Sequence, residues 1–163
     1  MSEIETAINQ YLTFHLDEEV YAFPVSQVRE VLGHQAIRKI PRMPDFLTGI
    51  INVRDSVVPV VDFRIHFGFP PHETTLDTSI IVVELYMNDA YTVLGILVDS
   101  VNEVIEILPS NIEGSKNFGF RMSDTFIKGI GRLDDKVIII IDLIKSFHSE
   151  VSIVQEITSN NEQ

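Results

Sequence analysis

The sequence predicts a mainly β chain built from two similar halves, each a small all-β unit with short helical turns. Three observations predict it. Residues 44–67 hold two apolar runs around a tight polar corner: residues 49–54 and 56–61 read as strands, with Arg54-Asp55-Ser56 between them. The pattern then returns. Residues 126–147 align without a gap on residues 46–67, at an offset of 126 − 46 = 80. Seven of the 22 positions are identical: Phe46/Phe126, Gly49/Gly129, Ile50/Ile130, Asp55/Asp135, Val57/Val137, Asp62/Asp142 and Phe67/Phe147. Average residue usage would give about one or two. A shorter echo precedes each copy, Val25-Ser26-Gln27-Val28-Arg29-Glu30-Val31 against Val98-Asp99-Ser100-Val101-Asn102-Glu103-Val104, at an offset of 98 − 25 = 73. Order and spacing are both kept, which favours a duplication over two unrelated hairpins.

Each element follows from local pattern. Residues 1–9 are expected to be a loose lead-in. Residues 10–16 alternate, with Leu12, Phe14 and Leu16 on one face and Tyr11, Thr13 and His15 on the other, which predicts a half-buried strand. Asp17-Glu18 makes a turn and residues 20–23 return as a second strand. Pro24 is placed to open a short helix over residues 25–32, with Val25, Val28, Val31 and Leu32 on one face and Gly33 as its stop. Residues 36–40 form a short extended run before Pro41 and Pro44.

In the first main repeat, Val57-Val58-Pro59-Val60-Val61 is β-branched and nearly all apolar, as in a strand buried on both faces. Pro59 has no ladder donor, so an edge or bulge position is expected. Asp62 is placed to cap a helical turn over residues 63–67. Residues 68–78, with Gly68, Pro70 and Pro71, are the expected link between halves. Residues 79–85 and 91–98 form a hairpin around Asn88-Asp89, and residues 101–107 are extended or part helical. Residues 109–124 are the longest irregular stretch, of a kind that is often functional. Residues 125–132 and 136–141 close the second half. The run Val137-Ile138-Ile139-Ile140-Ile141 would aggregate if exposed and predicts a buried strand, guarded by Lys136 and Asp134-Asp135. Residues 143–148 read as a helical turn. Val151, Ile153, Val154 and Ile157 form a stripe suited to a docking helix in an otherwise polar tail.

Composition narrows the function. At 163 residues the chain holds one domain or two tightly packed small ones, and 45% hydrophobic residues exclude a disordered chain. No apolar run approaches the roughly 18–20 residues of a membrane helix, so direct membrane insertion is not expected. The acidic start Met1-Ser2-Glu3-Ile4-Glu5 lacks a signal peptide's basic and apolar regions, which predicts a cytoplasmic protein. Net charge is −12, from 12 basic and 24 acidic residues, which disfavours nucleic-acid partners. There is no cysteine, hence no thiolate chemistry. His15, His34, His66, His72 and His148 show no metal-ligand spacing, and Gly129-x-Gly131 lacks the third glycine of a dinucleotide fingerprint. No serine sits in a nucleophile elbow. No catalytic, metal or cofactor site is therefore expected, and a binding module is the stronger class.

Three stretches carry a family resemblance: Pro44-Asp45-Phe46-Leu47-Thr48-Gly49-Ile50-Ile51-Asn52-Val53-Arg54 with Val58-Pro59-Val60-Val61-Asp62-Phe63-Arg64, Leu94-Gly95-Ile96-Leu97-Val98-Asp99-Ser100-Val101, and Gly129-Ile130-Gly131. They resemble the CheW coupling proteins of bacterial chemotaxis, and the likeness covers residues 10–147. It implies two five-stranded, SH3-like barrels side by side, about 10–76 and 77–147, followed by a tail over 148–163. It also implies a non-enzymatic, cofactor-free adaptor between the cytoplasmic tip of methyl-accepting chemoreceptors and the regulatory domain of a CheA-type histidine kinase. Such a protein is cytoplasmic and recruited to membrane-anchored receptor arrays.

Residue by residue, the resemblance makes Arg54 the arginine that supports the receptor-binding surface. Glu30 becomes its acidic partner, and the two predict an ion pair. Val28 and Val101 would line a groove between barrels, with ordinary core as the competing role. Phe118 matches an aromatic position used in joining coupling protein and kinase into rings. Gly49, Asp55 and Gly129 take structural turn positions. The chain departs from the family at Asp55, commonly glycine, and at Thr48, often lysine, whereas the duplicate has Lys128. A glycine accepts positive φ more readily than an aspartate, so the presentation of Arg54 depends on Asp55. Two alternatives stay open: the regulatory domain of a larger kinase or hybrid protein, and a double-barrel module for a small ligand, although no converging polar cluster is visible.

Overall fold

The computed structural model describes residues 8–71, 73–114, 126–147 and Gln155. Among the described residues up to Phe147, strands and single-turn helices follow in this order: β1 (Gln10–Leu16), β2 (Glu19–Pro24), β3 (Val28–Leu32), β4 (Leu47–Val53), β5 (Ser56–Asp62), α1 (Phe63–His66), β6 (Ser79–Met87), β7 (Ala90–Val98), β8 (Ser100–Glu106), β9 (Ile112–Gly114), β10 (Ile127–Leu133), β11 (Lys136–Ile141) and α2 (Leu143–Ser146). They form two sheets, ordered β8-β1-β2-β11-β10-β9 and β3-β6-β7-β5-β4. The mainly β class is as expected. One sheet has six strands rather than five, because the three-residue β9 pairs with β10.

The boundary between units differs from the expected one at residue 76. One compact unit comprises Met1–Gln27 with Val101–His148, and the other Val28–Ser100 with Ser149–Gln163. Strand pairing explains the difference. The closing strand of each repeat lies parallel to the second strand of the other repeat's opening hairpin: β11 on β2, through Ile140↔Ala22, and β5 on β7, through Val60↔Gly95. Each repeat thus lends its first hairpin to the other. The chain changes unit after Gln27 and again after Ser100, and 100 − 27 = 73, the offset of the short echo. The echoed segments are the two crossovers.

Residues 25–32 also differ from expectation. They form a 3-10 turn, Val25–Gln27, and then strand β3. The predicted apolar face was made largely of β-branched residues. Paired with β6, through Val28↔Val83 and Val31↔Ile81, they gain a ladder that one isolated helical turn would lack. Residues 101–107 are resolved the same way, as β8, where the Thr13 hydroxyl donates to the Glu103 carbonyl at 2.7 Å and accepts from its N–H at 3.1 Å.

Pro59 lies in β5, an interior strand, rather than at an edge. It pairs with Ile50, whose N–H and C=O are both engaged by Arg38 on the far side, at 2.8 and 2.9 Å. The parallel ladder to β7 begins only at Val60. No neighbour therefore requires the missing donor.

Gly49 and Gly129 were expected at turns. Both sit instead at bulges within strands, after Leu47 and after Ile127. A Cβ on Gly49 would meet the Arg38 carbonyl oxygen at 2.2 Å, and one on Gly129 would meet the Glu113 carbonyl oxygen at 2.8 Å. The close passage of a neighbouring backbone demands glycine at both, and at Gly49 a φ of 157° does so as well. Beyond each bulge the repeats match again. Asp62 accepts from the Arg64 N–H at 2.9 Å and caps its helical turn as expected, and Asp142 accepts in the same way from the Lys145 N–H at 3.0 Å.

Each unit has its own core. In the first, Tyr11, Ala22, Ile107, Ile138 and Ile140 pack together, and the rings of Phe14 and Phe23 lie 5.2 Å apart. In the second, Ile51, Val58, Val60, Ile80 and Leu97 do so. The isoleucine run is buried as expected at Ile138, Ile140 and Ile141, but Val137, at its start, is 51% exposed.

Candidate interaction surface

The strands β4 and β5 are joined by the two-residue loop Arg54-Asp55, with φ of 49° and 68°. Positive φ at both positions is the type I′ geometry, whose twist matches that of the flanking strands. The loop projects Arg54 into solvent, with its side chain 84% exposed. Its Nη2 lies 3.6 Å from Oε2 of Glu30 on β3. β3 and β4 are opposite edges of the five-stranded sheet, so this ion pair requires the sheet to curl toward closure. The predicted Glu30–Arg54 pair is therefore present. An exposed pair of this kind stabilises by only about 0–1 kcal/mol, so its effect is to orient the guanidinium. Beside it, Arg29 pairs with Glu84 at 3.1 Å.

Asp55 adopts the left-handed conformation that glycine would take without penalty, so the turn forms with a strained residue. Asp55→Gly is expected to raise stability by about 0.5–1 kcal/mol. A urea titration checks this: the midpoint should rise while the slope stays unchanged.

Val28 is half-buried on β3 of the second unit, and Val101 half-buried on β8 of the first. Phe118 lies outside the described residues, as do the stripe residues Val151, Ile153, Val154 and Ile157. Gln155 is described, and its side-chain amide donates to the Met87 carbonyl at 2.9 Å and the Thr92 hydroxyl at 3.0 Å.

Two features had no clear sequence signal. Tyr86 and Tyr91 face each other across the β6–β7 hairpin, both exposed, with ring centroids 4.9 Å apart. Arg64 of α1 is buried and pairs through Nη1 with Oδ2 of Asp99 at 2.6 Å, while its Nε donates to the Pro70 carbonyl at 3.0 Å. Asp62 lies in the same polar pocket. Burial raises its carboxyl pKa above the ordinary value, an effect opposed by N–H donation from Arg64 and Ile65 and by the Arg64 charge. Among the described residues no helix is long and apolar enough to cross a membrane.

Comparison with known proteins assigns this architecture. Residues 10–151 match the family model of the CheW-like domain. The chain belongs to the CheW-like family. A chemotaxis protein CheW of Klebsiella aerogenes is 30% identical over 146 residues, covering 90% of this chain and 86% of the relative. One from Thermotoga maritima is 29% identical over 163 residues, 97% of each. The solved structure of the scaffolding protein TtCheW from Thermoanaerobacter tengcongensis superposes with a TM-score of 0.76 at 36% identity, covering 87% of this chain and 94% of that one. The two sheets are thus the SH3-like barrels of a CheW-like fold, and the chain is a chemotaxis adaptor.

Proposed function

We propose that this adaptor couples the cytoplasmic tips of chemoreceptors to the regulatory domain of a CheA-type histidine kinase, without catalysis or cofactor of its own. The presentation of Arg54 supports this most directly: a solvent-exposed cation on a rigid two-residue turn, steered by Glu30. A pre-oriented charge adds specificity and association rate more than raw affinity. Arg54 and Glu30 form the receptor-facing polar contact, and Val28 and Val101 contribute apolar contact. Phe118 belongs to the kinase or ring contact. The adaptor is drawn from the cytoplasm to membrane-anchored arrays by these contacts alone. Holding receptor and kinase together lets the receptor's state bias the kinase.

Calorimetric titration tests this. The protein is titrated with the kinase regulatory domain, and Arg54→Glu is run beside the native chain against a receptor cytoplasmic fragment. Saturable kinase binding is expected. The charge reversal should weaken receptor binding by roughly tenfold or more, about 1.4 kcal/mol, and leave kinase binding unchanged. Equal receptor affinity for both chains would remove Arg54 from the surface. Absence of kinase binding at high concentration would count against the coupling role itself.

A further inference from the structure

The two repeats carry hairpin tips at equivalent positions, and the first residue of the tip is a cation in one and an anion in the other. The offset of 80 places Asp134-Asp135 on Arg54-Asp55, and the offset of 73 places Glu103 on Glu30. Where the second unit sets a cation near Glu30, the first unit sets further carboxylates around Glu103. Glu103, Asp134 and Asp135 line a groove of about 550 Å³ in the first unit, together with Glu18 from the β1–β2 turn and Glu19 at the start of β2. Lys136 is the single lysine or arginine among the described lining residues. The floor is apolar. Val20, Ile105 and Leu133 are half-buried against the core, and Val137 stands exposed at the side.

We propose that this groove is a docking site for a basic amphipathic segment of a protein partner. Its apolar side chain would cover Val20, Ile105 and Val137, and its flanking lysines or arginines would face Glu103, Asp134 and Glu18. The charges select this occupant. An acidic segment or a nucleic acid meets like charge on the rim. A wholly apolar segment would desolvate carboxylates without pairing them. A small cation would leave the apolar floor wet. The groove belongs to the first unit and Arg54 to the second, and the proposal does not depend on the receptor assignment.

The probe is a synthetic peptide alternating leucine and lysine, with one alternating leucine and glutamate as control, titrated into the isotope-labelled full chain by NMR. Two charge variants accompany it. Glu103→Lys with Asp134→Lys alters the groove. Asp45→Lys with Asp77→Lys alters exposed positions of the second unit, and either pair moves the net charge from −12 to −12 + 4 = −8. The basic peptide should shift the resonances of Val20, Ile105 and Val137, and bind more weakly as salt rises. Affinity should fall by roughly tenfold or more in the groove variant and by less than about threefold in the other. Equal losses in both variants would reduce the effect to overall charge and overturn the site. So would shifts centred elsewhere, or equal binding of the leucine–glutamate peptide.

Discussion

Asp99→Ala is expected to lower stability by about 3 kcal/mol, the low end of the range for stranding one member of a buried ion pair. Its partner Arg64 is 6% exposed and cannot reach bulk water without opening the turn after β5. Without Asp99 the guanidinium keeps the Pro70 carbonyl and the nearby Asp62 carboxyl, and these hold the loss to that end. Removing the other partner is expected to cost less. In Arg64→Met the charge disappears from the buried position, and Asp99, whose side chain is 23% exposed, remains partly hydrated. The double variant Arg64→Met/Asp99→Ala should therefore be more stable than Asp99→Ala alone. Urea midpoints of the four proteins measure this as a coupling energy. A loss under about 0.5 kcal/mol for Asp99→Ala would mean that Arg64 finds solvent by an unanticipated route.

This pair also marks the limit of what the sequence discloses. Arg64 aligns with Ile144 and Asp99 with Ser26, so the duplication that made the hairpins legible is silent here. Seen along the chain, Arg64 is one charge after a helix cap, 35 residues from its partner. Local chemistry was readable wherever the cause lay within a few residues. The strand over residues 10–16 and the capping carboxylate Asp62 are such cases, although Tyr11 and Thr13, on the face expected to be open, are buried as well. The Glu30–Arg54 pair was reachable through family resemblance rather than spacing. What spacing could not show was the exchange of hairpins. Both repeats contain every strand of a unit, so a barrel closed within one repeat and one closed across two have the same local pattern. The pairings that cross between repeats, β11 with β2, β5 with β7, β3 with β6 and β8 with β1, decide between them, and they join residues far apart in sequence. The helix expected over residues 25–32 failed for the same reason, since β3 draws its order from β6, about 50 residues onward.

Gly49→Ala is expected to destabilise by about 3 kcal/mol, and Gly129→Ala by about 1 kcal/mol. The two glycines are equivalent in the repeat, yet their neighbours differ in how far they must yield. At Gly49 an added Cβ would lie 2.2 Å from the Arg38 carbonyl oxygen and 2.8 Å from its carbon, both backbone atoms. That segment is tied to β4 by two hydrogen bonds between Arg38 and Ile50, so displacing it by about 1 Å weakens both, at about 1 kcal/mol each. At Gly129 the nearest atom is 2.8 Å away, on β9, a three-residue strand at the sheet edge, and a shift of a few tenths of an ångström suffices. Urea midpoints give the ranking. Amide exchange locates the damage, with the Ile50 N–H losing protection in Gly49→Ala while the β6–β7 ladder keeps it. Equal losses in the two variants would show that neither the closeness of the crossing strand nor the φ of 157°, which Gly49 has and Gly129 lacks, sets the cost.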